Sequence, residues 1–266
     1  NKMTTKEYTT TITTGKKSKE KTLSSVYDTN TKGGAIYANE GVYLTVTDSK
    51  FDKNSSYKGG AIYADKNSVI RIVDTSFTNN IAKGLGGAVY ADEGSKVYVI
   101  ANNKNISFKN NKAGNVANDI YLNQSELYLS ANNNHTIKIY GDITGNQADM
   151  YQSANVVIAK TATLNGVTVH ALAGVLSVAN ESAFSNVTLN MSGTSSLSVS
   201  NNSIGTLSLK ALNLTDNTSN DVALDIDLKS VSSDKIKAET VQGSGVLNAA
   251  NVNLISNSKN PVTVKV

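Results

Sequence analysis

Aspartates recur in this chain at intervals that would bring them together, so paired carboxylates are the first chemistry to consider. Asp48 and Asp74 are 26 residues apart, Asp65 and Asp92 are 27 apart, and Asp225 and Asp227 sit two apart in an alternating segment. Two carboxylates on one surface can act as general acid and base, as in glycoside hydrolysis, when a cation or further polar groups share the cleft. Those companions are missing here. The position one interval beyond Asp74 is Ala101, and no basic or aromatic residue flanks Asp225 and Asp227, which alternation places on an outward face. The two earlier pairs read as solvated turn residues. His135 follows the Asn132-Asn133-Asn134 turn and His170 lies in an alternating strand, each without a second ligand at metal-binding spacing. There is no Gly-x-Ser-x-Gly elbow and no Gly-Gly-x-Gly-x-Asp calcium repeat, and Gly15-Lys16-Lys17-Ser18 lacks the upstream glycine of a phosphate loop. The expectation is no catalytic residue, no metal and no cofactor: a chain that is not an enzyme.

What does recur is a structural unit. Gly33-Gly34-Ala35-Ile36-Tyr37-Ala38 returns as Gly59-Gly60-Ala61-Ile62-Tyr63-Ala64 and as Gly86-Gly87-Ala88-Val89-Tyr90-Ala91, with a degenerate copy at Asn118–Leu122. Each copy leads through a polar turn into an alternating strand, then to Phe-x-x-Asn: Phe51 to Asn54, Phe77 to Asn80, and Phe108 to Asn111. Periods of this length indicate a stacked repeat. The leucine ladder of leucine-rich repeats is absent, and no segment has the 3.6-residue periodicity of ankyrin or tetratricopeptide helices. Short strands recurring every 26 or 27 residues fit one coil of a parallel β-helix, whose strands stack ~4.8 Å apart.

The fold class predicted is therefore all-β: a right-handed parallel β-helix of roughly ten or eleven coils, about 50 Å long. Alternation assigns its faces. With Arg71 outward, Ile70 and Ile72 point in, and the repeat carries Leu44, Val46, Val97 and Val99 inward with them. Thr45, Arg71, Tyr98 and Tyr128 then form one outward column, and Tyr37, Tyr63, Tyr90 and Tyr121 a second. Ile36, Ile62 and Val89 should be buried and stacked, Phe51, Phe77 and Phe108 should form an internal aromatic stack, and Asn54, Asn80 and Asn111 a turn ladder. Shorter motifs about 20 residues apart, such as Val175–Val178 and Ser196–Val199, continue the stack with leaner turns. Four zones follow: 1–30 as a basic N-terminal coil or cap, 31–154 as long coils, 155–220 as short coils, and 221–266 as C-terminal coils.

Composition agrees with this reading. Among 266 residues there is one proline, Pro261, and no Cys or Trp. Proline is excluded from central strands, so a stack of them should hold almost none. The net charge of +4 comes from lysine, with Arg71 the only arginine and Lys16, Lys17, Lys19 and Lys21 the one dense run. Nucleic-acid readers lean on arginine forks, so no nucleic-acid partner is expected. No apolar run is long enough to span a membrane, and the chain begins mid-pattern, as an excised or mature fragment would.

The glycine motif paired with Phe-x-x-Asn resembles the passenger domains of bacterial autotransporters, closest to the polymorphic outer membrane proteins. The segment Gly114–Leu122 and the stretch Ala223–Ile236 are similar in style to other passengers. The resemblance implies a passenger carried to the cell surface by a C-terminal outer-membrane barrel outside this sequence, its only link to a membrane. It also implies an adhesin, whose partner is a host cell-surface or matrix molecule or another passenger. The residues picked as partner-binding are Arg71, Tyr98 and Tyr128 on one face and Tyr37, Tyr63 and Tyr90 on another. Alternatives are a structural stalk presenting a distal tip, which should lack an exposed patch, and a carbohydrate-active β-helix, which needs a groove of convergent carboxylates or aromatics.

Overall fold

A computed structural model describes residues 10–13, 31–132, 134–179, 184–216, 218–227 and 232–255. These residues form a parallel β-helix. Three strand columns wind around one core and every main pairing is parallel, the exceptions being two short antiparallel contacts, Lys112–Ala113 with Val116–Ala117 and Ile226–Asp227 with Ser232–Ser233. The first face carries the glycine motifs (Ile36–Ala38, Ile62–Ala64, Val89–Ala91, and part of Val116–Asn123). The second carries Tyr43–Thr47, Val69–Val73, Lys96–Ala101 and Glu126–Ala131, and the third Lys50–Asp52, Ser76–Thr78, Ile106–Lys109 and Thr136–Ile139. The lysine run Lys16–Lys21, Leu228 and Pro261 lie outside the described residues.

Register follows the sequence period. On the second face Leu44, Ile70, Val97, Leu127, Met150, Val169, Leu189 and Leu212 stack one per coil, all buried. On the first, Ile36 pairs with Ile62 and Ile62 with Val89. Ile62 and Val89 are fully buried, whereas Ile36 and Phe51 are only half-buried. On the open side of their coil Thr10–Thr13 pairs in parallel with the second-face strand Tyr43–Thr47, but among the described residues no strand pairs there with Ile36–Ala38 or Lys50–Asp52.

The two motifs do separate work at the corners. In Phe-x-x-Asn the ring enters the core, with Phe77 stacked on Phe51 at 5.0 Å and on Phe108 at 4.7 Å between centroids. The residue before the Asn takes a left-handed conformation (φ 58° at Lys53, Asn79 and Asn110), which turns the Asn side chain back under the coil. Asn54 Nδ2 donates to Asn80 Oδ1 and Asn80 Nδ2 to Asn111 Oδ1, both at 2.9 Å. In the glycine pair the first residue is left-handed (φ +64° at Gly59), and a Cβ on the second, Gly60, would sit 2.1 Å from the carbonyl oxygen of Gly87 in the next coil. Only glycine allows both.

Between these motifs the long coils carry a further strand: Ser55–Lys58, Ile81–Leu85 and Lys112–Ala113 pair outside the main helix. This annex ends at the fourth coil, where Asn118 and Asp119 take the places of the second glycine and the alanine of the motif. Asn118 Oδ1 accepts from Gly86 N at 3.1 Å. Asp119 closes the Asn ladder: its carboxylate accepts from Asn111 Nδ2 at 2.7 Å, and from Gly141 N and Tyr140 N. Burial pushes its pKa up to about 6 against those hydrogen bonds, which favour the charged form. A carboxyl raised in the folded state contributes stability that is full below its unfolded pKa of 3.8 and is lost as pH rises through about 6. The stability of the protein relative to an Asp119→Asn variant should therefore fall by about 2 kcal/mol between pH 4 and pH 7, at no more than about 1.4 kcal/mol per pH unit. Urea titrations of both proteins across that range check it; a constant difference would contradict it.

Beyond the annex the coils shorten. Ile120, Ile143, Leu164 and Phe184 follow one another at 23, 21 and 20 residues. Near the end, Asp225, which alternation places on an outward face, does not reach solvent. It is fully buried because the 200–203 turn folds over it: Ser200 Oγ (2.7 Å), Asn201 N (2.7 Å) and Asn202 N (2.6 Å) all donate to its carboxylate.

Candidate functional site

The second face presents a continuous outward column. Cross-coil register places Thr45, Arg71, Tyr98, Tyr128, Tyr151, His170, Asn190 and Asn213 directly above one another. The Arg71 guanidinium lies 5.9 Å from the Tyr98 ring, and the rings then stack at 4.5, 4.8 and 4.6 Å through Tyr128 and Tyr151 to His170. Ring faces are thus used within the column, while edges and polar atoms remain toward solvent; all five side chains are half-buried. Sequence reasoning found Arg71, Tyr98 and Tyr128 but not Tyr151 or His170. The step from Tyr98 to Tyr128 is 30 residues, but the next two are 23 and 19, so a fixed period loses the column there.

A charged row runs alongside. Lys96 bonds Glu126 at 3.1 Å, and Tyr128 donates its hydroxyl to the same carboxylate. Burial pushes Glu126 up, but the hydrogen bonds from Tyr128 and Lys96 outweigh it and hold the carboxyl below its usual range. One coil on, Asp149 Oδ1 is 3.0 Å from His170 Nε2, and Asn190 Nδ2 is 3.2 Å from His170 Nδ1. A carboxylate can only accept and an amide nitrogen only donate, so Nε2 carries the proton of the neutral ring.

The other tyrosine column is different from what alternation alone suggested. Tyr37 is 46% exposed, but Tyr63 and Tyr90 are 1% and 3% exposed and cannot reach a partner. They point away from the core, as expected, yet stack on each other at 4.9 Å. Lys32 Nζ covers Tyr63 at 4.5 Å, and Lys58, at the end of an annex strand, covers Tyr90 at 4.9 Å. The paired aspartates serve this column: Asp65 accepts from Tyr37, and Asp92 from Tyr63 at 2.6 Å. Burial, then the bond to Asp92, pushes the Tyr63 phenol far up. Tyr63 and Tyr90 are structural.

The remaining acidic candidates are also structural. Asp74 is not a solvated turn residue but is buried, with Asn102 N (2.7 Å) and Asn103 N (3.0 Å) donating to it. Asp48, exposed, bonds Lys104 at 3.1 Å. His135 is half-buried, its amide donating to Asn132 O across the turn. Among the described residues no group of three or more His, Asp or Glu converges as a metal site would.

Comparison with known families bears on which of these features are shared. The Chlamydia polymorphic membrane protein repeat matches residues 48–65 and 74–92. These two segments are similar to that repeat. Its family is one of outer-membrane and cell-surface proteins. No curated protein and no solved structure matches the chain. Each repeat begins at a third-face corner, passes through Phe-x-x-Asn and the annex strand, and ends just after the glycine-motif strand. Val69–Val73 falls between the two matched segments and Lys96–Ala101 after them. The repeat therefore supplies the frame on two faces, and the ladder strands of the second face lie outside it.

Proposed function

We propose that this chain is a surface-displayed passenger acting as an adhesin, with no catalysis, and that its partner seats on the column running from Arg71 to His170. The partner is a host cell-surface or matrix molecule, or another passenger. The observation that carries this reading is the ladder itself: an arginine, three tyrosines and a histidine in one unbroken outward row, on strands the repeat family does not specify. Tyrosine and arginine are the side chains most enriched at binding surfaces, giving contact area at small entropic cost. Stacking holds these side chains in place before a partner arrives, which lowers the cost of ordering them on binding. The exposed Tyr43 and Tyr37 extend the tyrosine-rich surface toward the first coils.

Replacing Arg71, Tyr98 and Tyr128 together with Ser tests the proposal. Binding of the purified protein to host cells, to extracellular matrix and to itself should fall about tenfold or more on the surface that the unaltered protein engages, the effect of losing at least one hot-spot contact. Circular dichroism and the melting curve must show the fold retained. Unchanged binding by a folded variant would reduce the ladder to a structural element of a stalk.

A further inference from the structure

The corner between the first and second faces has a step in it. In the fifth coil this corner runs Gly145, Asn146, Gln147 between the paired positions Thr144 and Ala148. In the sixth, only Gly166 separates the corresponding Asn165 and Val167. The corner thus loses two residues, a contraction made possible by the left-handed Gly166 (φ +68°) and kept in the seventh coil by left-handed Asn186 (φ +55°). The result is a notch of about 530 Å³, walled on one side by Asn146 and Gln147 and capped by Lys210. Its opposite wall is the row Asp149, Thr168 and Thr188, one residue per coil in register.

The lining chemistry is specific. Its floor is backbone at Gly145 and Gly166, beside Ala148 and Val167, which belong to the core and are each 3% exposed. Around that floor stand carboxamides, two hydroxyls and one carboxylate, with few long chains to fill the space. Asp149 is not a loose surface acid: His170 Nε2 binds one of its oxygens at 3.0 Å, which fixes the carboxylate plane, while its side chain remains 41% exposed. A fixed carboxylate beside carboxamides and hydroxyls suits a ligand presenting several adjacent hydroxyl donors and acceptors. Lys210 is the one cation in the lining and has no ion-pair partner among the described residues.

We infer that this notch is a saccharide-binding site for a neutral sugar with vicinal hydroxyls, in which Asp149 takes a hydroxyl pair and Thr168 and Thr188 complete the contacts. The site meets the end of the aromatic ladder through the Asp149–His170 contact but does not depend on a partner seating on the ladder.

Saturation-transfer NMR with lactose, N-acetyllactosamine, chitobiose and 3′-sialyllactose tests it on the purified protein. At least one neutral sugar should receive magnetisation from the protein. Asp149→Ala should weaken its binding about tenfold or more, the usual weight of a hydrogen bond to a charged group. The Arg71, Tyr98, Tyr128 to Ser variant should leave it unchanged, so a failure of the ladder proposal and a failure of this one are separately visible. Should Asp149→Ala not fold, the near-isosteric Thr168→Val and Thr188→Val pair should weaken binding in its place. Transfer to none of the four sugars, or equal binding by the folded variants, would overturn the site. Binding of 3′-sialyllactose alone, lost in Lys210→Ala and kept in Asp149→Ala, would overturn the assigned neutral recognition.

Discussion

Replacing Phe77 with alanine is expected to lower the free energy of unfolding by about 3–5 kcal/mol, the range for deleting a fully buried aromatic side chain. Phe77 has no exposed surface and is held between Phe51 and Phe108 with interplanar angles of 9° and 7°. Truncation removes both stacking contacts at once and leaves a void that the flanking coils cannot close, because their backbones are pinned by parallel hydrogen bonds on either side. In a stacked repeat each coil is stabilised chiefly by its neighbours, so the loss weakens two coil–coil interfaces. Urea titration of wild type and variant measures it. A loss below about 1 kcal/mol would place Phe77 outside the core.

Asn80→Ala should cost a comparable amount for a different reason. Asn80 Oδ1 accepts from both the backbone N (3.0 Å) and Nδ2 (2.9 Å) of Asn54, and its own Nδ2 donates to Asn111 Oδ1 (2.9 Å) and to Phe51 O (3.0 Å). Alanine leaves at least two of these buried or part-buried groups unpaired, each at about 1–3 kcal/mol, for a total of about 2–6 kcal/mol. The same titration checks it, together with amide exchange at Asn54, which should accelerate in the variant. A change under 1 kcal/mol, with Asn54 still protected, would mean that water replaces the ladder at no cost.

How far the sequence reveals these features depends on whether the feature repeats. The columns through Ile70, Phe77 and Asn80 are legible because a step of 26 or 27 residues with strict alternation locates the early members, and the Phe-x-x-Asn motif itself marks Phe108 and Asn111 across the longer 31-residue step. The burial of Tyr63 and Tyr90 is not. Alternation gives the direction of a side chain relative to the core, but not what lies over it, and here Lys32, Lys58 and Asp92 close the column from outside. Tyr151 and His170 were hidden for another reason: the annex strand ends at Lys112–Ala113, the coil contracts, and the period changes in mid-column. The corner notch arises from that same irregularity, a two-residue contraction at Gly166 that leaves no periodic trace. The burial of Asp225 was hidden because the turn at 200–203, distant in sequence, folds back onto it. Frame positions repeat and can be read; the positions that give the surface its individuality do not repeat.

The most direct test of where the partner binds is hydroxyl-radical footprinting of the purified protein, free and bound to the host cells or matrix it adheres to. Seating on the ladder predicts protection of Tyr98, Tyr128 and Tyr151 on binding, with Tyr140 and Tyr57, which lie off that column, labelled as in the free protein. Protection confined to residues elsewhere, with the three ladder tyrosines labelled equally in both states, would contradict it.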